Sequence, residues 1–164
     1  MPMIQLVRQL VRRLAINIAT LGPIGTSLPA PGTFGSLTAL IAGYFILSAG
    51  WFLLVAATLI ALIFGVWASN IYEAQSGKKD ASEIIIDEVA GQWSVLLVAP
   101  LSLEGFIAAF LLFRFFDITK PFPVNKAEAI EGGFGVMADD MVAGFLAGVG
   151  LIALMASGLI APIL

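Results

Sequence analysis

The chain has no cysteine and no histidine among its 164 residues, and only 12% of them are charged. Without cysteine there is no disulfide, no thiol nucleophile and no thiolate metal ligand. Without histidine there is no imidazole base, no phosphohistidine intermediate and none of the usual zinc ligand sets. Chemistry must therefore run on carboxylates, hydroxyls, lysine, arginine or a metal. The charged fraction is about half that of an average soluble domain, while 60% of the residues are hydrophobic and the mean hydropathy is +1.02. That combination describes a membrane chain of one domain. A net charge of −3 gives no general attraction to nucleic acid, so no nucleic-acid partner is expected and the placement of the few charges carries the information.

From Leu37 to Ala68 no charged residue occurs, a run too long for one crossing of a hydrocarbon core that needs about 20 helical residues. Gly50 is the natural turn, so two spans are expected, about Thr33 to Ala49 and Trp51 to Asn70, the first short enough to be partly re-entrant. Further spans are expected over Ile84 to Pro100, Leu103 to Phe116 and Met141 to Leu164. In the last, Gly144 and Gly148 suit close helix packing, either internally or in a homodimer. Ahead of them, Ile4 to Ala19 predicts an amphipathic interfacial helix with Arg8 and Arg12 one turn apart near anionic headgroups. A simple topology anchor is the plainer reading of the same stretch. The expected fold is an all-α, polytopic membrane helical bundle of four or five membrane helices plus that N-terminal helix. It forms one domain over residues 1–164, with 1–20 interfacial and 33–164 the membrane core.

The connections alternate. Those near Gly50 and Leu101 are short and nearly uncharged, whereas residues 1–32, 71–88 and 117–140 hold most of the charge. Every lysine and arginine falls on or near that side, which the positive-inside rule places in the cytoplasm.

Four constellations stand on that face. Pro29-Ala30-Pro31-Gly32-Thr33-Phe34-Gly35-Ser36 enters the first span; Gly32 and Gly35 permit close backbone approach, and Thr33 or Ser36 can cap a helix whose free N–H groups face an anion. A capped turn at a membrane entry is the bland alternative. Asp87 and Glu88 open an otherwise apolar helix, where adjacent carboxylates favour the helix dipole but are costly to desolvate without a cation. Asp80 and Glu83, just upstream, are weaker candidates. Arg114, Asp117 and Lys120 recur at i, i+3 and i+6 before Pro121, broadly on one helical face, where they could hold metal and phosphate oxygens together or simply form an interfacial ion pair. Finally, a glycine-rich loop, Gly132-Gly133-Phe134-Gly135, delivers Asp139 and Asp140 to the start of the last span. Two acidic pairs and Asp117 thus offer five carboxylates from three helix ends, a set that suits magnesium. A magnesium-dependent site acting on a phosphorylated lipid is the reading from the residues alone.

The four stretches, in this order and spacing, resemble the phosphatidylglycerophosphatase A family from about Asn17 onward. The resemblance implies a multi-pass enzyme of the bacterial inner membrane, with its active site on the cytoplasmic face. It would hydrolyse phosphatidylglycerophosphate to phosphatidylglycerol and inorganic phosphate with Mg2+ as cofactor. It further implies Asp87, Glu88, Asp139 and Asp140 as metal groups, Asp117, Arg114, Lys120 and Asp80 as catalytic or phosphate-contacting groups, and Gly32, Thr33, Gly35 and Ser36 as a phosphate cradle. Family members often carry a His-Asp pair where this chain has Lys79-Asp80, so no mechanism here can need an imidazole. The rival class is a small transporter or channel subunit, which would place its acidic residues near the bilayer midplane rather than at helix ends.

Overall fold

The computed structural model describes residues 2–161, and among these the chain is all helical. The helices are α1 Pro2–Thr20, α2 Pro23–Ser27, α3 Pro31–Ala49, α4 Trp51–Ser76, α5 Ile86–Leu96, α6 Leu103–Thr119, α7 Val124–Glu128 and α8 Gly132–Ala156. Their ends follow local chemistry. Pro31 stands at the first helical position of α3, where its missing N–H costs nothing, behind Ala30 at φ +53°. Only Gly50 separates α3 from α4, its N–H donating to the Ile46 and Leu47 carbonyls. Gly77, at φ +68°, closes α4 by donating to Glu73 O. The Ser102 hydroxyl caps α6 by accepting from Gly105 N–H at 3.1 Å.

Among the described residues three helices are long and apolar enough to cross a membrane: α3, α4 and α8. The expected span at 84–100 is shorter in the structure, whereas the one at 103–116 is a helix that runs on to Thr119. α5 has 11 residues and reaches only roughly 16 Å, because the turn at Leu97–Pro100 stops it; α6 has 17. The last span is also shifted. It begins at Gly132 and ends at Ala156, while the expected end at Leu164 lies outside the described residues. The glycine-rich stretch expected as a loop is the first turns of α8. Its glycines serve close packing: a Cβ on Gly133 would strike the Val66 carbonyl oxygen of α4, and one on Gly135 the Ile130 carbonyl.

α8 is the central post, packed against α4, α5, α6 and α7, and α5 lies between it and α3. Gly144 permits close contact with α5, since a Cβ there would meet Ser94 Oγ and, at 2.6 Å, Gly91 O. That glycine is used inside the chain. Trp93 on α5 donates to Ala39 O of α3 at 2.8 Å, tying the short helix to its other neighbour. Phe45, Phe52, Ile63 and Phe145 point outward, as a lipid-facing surface requires.

Candidate active site

Five segments meet at one end of the bundle around a cavity of about 340 Å³. The start of α3 supplies Gly32 and Thr33, the loop before α5 supplies Asp80, and the first turn of α5 supplies Asp87 and Glu88. The end of α6 supplies Arg114, Asp117 and Lys120, and α8 supplies Asp139 and Asp140. The last pair does not open its helix. It lies two turns inside, carried there by the close α4–α8 packing.

The carboxylates divide into two groups. Asp87, Glu88 and Asp140 each bring an oxygen within 4.8 Å of the others. Asp87 Oδ1, Glu88 Oε2 and Asp140 Oδ2 are buried and have no hydrogen-bond partner. The nearest guanidinium, that of Arg114, stands 3.9 Å from Glu88 Oε1. Three carboxyl groups cannot all stay ionised there without a further cation, because burial and mutual repulsion both penalise the charged form. Hard, anionic, oxygen-only donors with free lone pairs fit a divalent cation.

The second group, Asp80, Glu128 and Asp139, is equally compact, but it encloses an ammonium. Lys120 Nζ donates to Glu128 Oε1 at 2.7 Å and to Asp139 Oδ2 at 2.8 Å. Burial alone would lower the Lys120 pKa; these two acceptors and their charges outweigh it, and the net shift is upward. Lys120 therefore stays charged. Burial pushes the Asp80 carboxyl upward, opposed by the Lys120 charge. The expected one-face arrangement is altered here: α6 stops at Thr119, and Lys120 takes φ +41° beyond it, so its side chain turns to α7 and α8 instead of stacking above Asp117.

Arg114 is held by a relay. Its Nη1 donates to Asp117 Oδ2 and, at 3.2 Å, to Ser36 Oγ, and Ser36 in turn donates to Gly32 O at 2.8 Å. Ser36 is fully buried and does not line the cavity. Neither it nor Thr33 caps α3, because the helix already starts at Pro31 and Ala30 occupies the cap position. Gly35 also lies behind the cavity, against Ile85, where a Cβ would come within 3.0 Å of that side chain. Gly32 has a sharper role. A Cβ there would collide with Glu88 Oε1, so glycine makes room for the carboxylate. Glu83 turns away to pair with Lys78 at 3.1 Å.

One contributor was not legible in the sequence. Glu128 reaches Lys120 only because the chain folds back through Pro121–Pro123 into the short α7, and no linear spacing signals that contact.

The model of the family described as phosphatidylglycerophosphatase A matches residues 17–155. The chain belongs to the phosphatidylglycerophosphatase A family. A Haemophilus influenzae protein named phosphatidylglycerophosphatase A is 42% identical over 122 residues, covering 73% of this chain and 75% of its own. The Escherichia coli protein of that name is 33% identical over 124 residues, covering 74% and 72%. A Bacteroides thetaiotaomicron protein, provisionally named phosphatidylinositol-3-phosphatase, is 44% identical over 128 residues, covering 73% and 80%. No solved structure matches the chain. As a member of this family the protein is a membrane-bound lipid phosphatase. All four stretches quoted from the sequence fall inside the matched residues, and the fold brings them together at one cavity.

Proposed function

We propose that the protein is a Mg2+-dependent phosphatidylglycerophosphatase, releasing inorganic phosphate and phosphatidylglycerol from phosphatidylglycerophosphate at the cytoplasmic face of a bacterial inner membrane. The observation that carries this reading is the triad of Asp87, Glu88 and Asp140, whose buried unpartnered oxygens border the same cavity as the cations Arg114 and Lys120. Acidic residues at one bundle end, around a cavity lined by phosphate-binding cations, favour hydrolysis over transport.

Asp87, Glu88 and Asp140 would hold the ion. Bound there, Mg2+ would supply Lewis acidity toward a phosphoryl oxygen and lower the pKa of a water. Arg114, fixed by Asp117 and Ser36, neutralises charge growing on the phosphoryl oxygens. Lys120 does the same from the opposite wall, with Glu128 and Asp139 fixing its ammonium. Asp139 therefore acts through Lys120, in place of the metal role expected for it. At the start of α3, where Gly32 and Thr33 line the cavity, the Gly32 N–H is the backbone donor left for the phosphate, since Pro31 has none and the Thr33 and Phe34 N–H groups donate to Ala30 O. Asp80 is the group we assign to deliver a proton to the departing lipid alkoxide. The whole chain works as one domain, with α1 at the membrane surface.

The test is phosphate release by purified protein in detergent, with phosphatidylglycerophosphate, phosphatidylinositol 3-phosphate and phosphatidic acid compared side by side. Preference for the first, abolished by chelator and restored by Mg2+, is the expected result. Preference for the phosphoinositide would overturn the substrate assignment, and undiminished release in excess chelator would overturn the metal.

A further inference from the structure

We propose that a cleft between α1 and α4, separate from the active-site cavity, binds the headgroup phosphate of an anionic phospholipid that is not the substrate. The cleft encloses about 670 Å³ and is lined by Val7, Arg8, Val11, Arg12, Ile71, Ala74 and Gln75. Its volume is that of an ordinary ligand site. Two guanidiniums and a carboxamide face an apolar wall, and no acidic side chain lines it. Among the described residues neither arginine forms an ion pair. The nearest acid in sequence, Glu73, is taken up by the Asp80 backbone N–H at 2.6 Å.

The wider charge distribution selects the same occupant. α1 holds three of the chain's eight basic residues and none of its eleven acidic ones, so the remainder of the protein repels an anionic lipid while this helix attracts it. The apolar residues Met3, Leu6, Val7, Leu10 and Leu14 form one exposed stripe along α1, which suits a helix lying at the acyl boundary with its arginines at headgroup level. Glu73 also marks the level of the cleft. Its bond to the Asp80 N–H ties this end of α4 to the loop that carries Asp80, so Ile71, Ala74 and Gln75 stand at the same bundle end as the active site.

The experiment is native mass spectrometry of the full-length protein in detergent, titrated with phosphatidylserine or phosphatidylcholine. Wild type should retain phosphatidylserine preferentially. Arg8→Gln with Arg12→Gln should weaken that retention by about 30-fold, and Arg8→Lys with Arg12→Lys should keep most of it. Arg13→Gln, outside the cleft, and Asp87→Asn, in the catalytic cavity, should bind as wild type does, which separates this site from the catalytic assignment. Helicity and elution volume of the double Gln variant report whether it is folded, with the Lys pair as the folded reference. Equal retention of the two lipids, an equal loss in Arg13→Gln, or a change of oligomeric state with lipid retention unaltered would each overturn the proposal.

Discussion

At the residue scale, the five acidic side chains that the linear pattern groups together separate into three chemistries. Asp87, Glu88 and Asp140 face one another with free oxygens, Asp139 holds Lys120, and Asp117 holds Arg114. This predicts opposite effects on activity and stability. Asp87→Asn should reduce phosphate release by about 100-fold or more, yet in chelator its thermal midpoint should exceed that of wild type, because the buried triad then has one fewer carboxyl group to hold protonated or in repulsion. Added Mg2+ should stabilise wild type more than the variant. Calorimetry in detergent with and without chelator measures both. Glu128→Gln removes only the more exposed of the two Lys120 acceptors, so a rise in KM of roughly 5-fold with kcat little changed is expected from steady-state kinetics. Asp139→Asn, which removes the buried acceptor, should lower kcat as well.

At the scale of elements, helix types and approximate positions were readable from hydropathy, but helix ends were read through the wrong signal in two places. The glycines at 132–135 looked like a loop because glycine is a helix breaker on propensity alone. Close packing overrides that preference: Gly133 lies against the α4 backbone and its N–H donates to Asn70 Oδ1 at 2.8 Å. Gly133→Ala should therefore cost about 1–3 kcal/mol, seen as a lower midpoint in detergent thermal unfolding. Gly32→Ala acts differently. Its new Cβ would displace only a flexible carboxylate, Glu88, so activity should fall with little loss of stability. The second misread end is that of α5, where a run of apolar residues from Ile84 to Pro100 suggested a crossing. The run continues in composition, but the helix stops at Leu96, and periodicity does not register a turn made of apolar residues.

At the scale of the whole molecule, the absence of cysteine makes topology directly measurable. A single cysteine placed at Lys126 should react with a membrane-impermeant maleimide only in inside-out vesicles, and one at Glu104 only in intact spheroplasts. Labelling of both from the same side would contradict the orientation drawn from the basic residues. Composition alone was enough to establish a helical membrane protein, and the order of its four polar stretches was enough to establish the family, since both are properties of residue identity along the chain. The excluded chemistries follow from composition too: a chain without histidine or cysteine had to place its reactivity in carboxylates and cations. Which carboxylate meets which cation was decided only by the folded chain. Asp87 and Asp140, or Lys120, Glu128 and Asp139, come together through the crossing of α5, α7 and α8 at glycine contacts, and side-chain distances across helices have no counterpart in sequence spacing. The cleft beside α4 arises in the same way, because Arg8 and Arg12 become a site only when a second helix supplies the opposite wall.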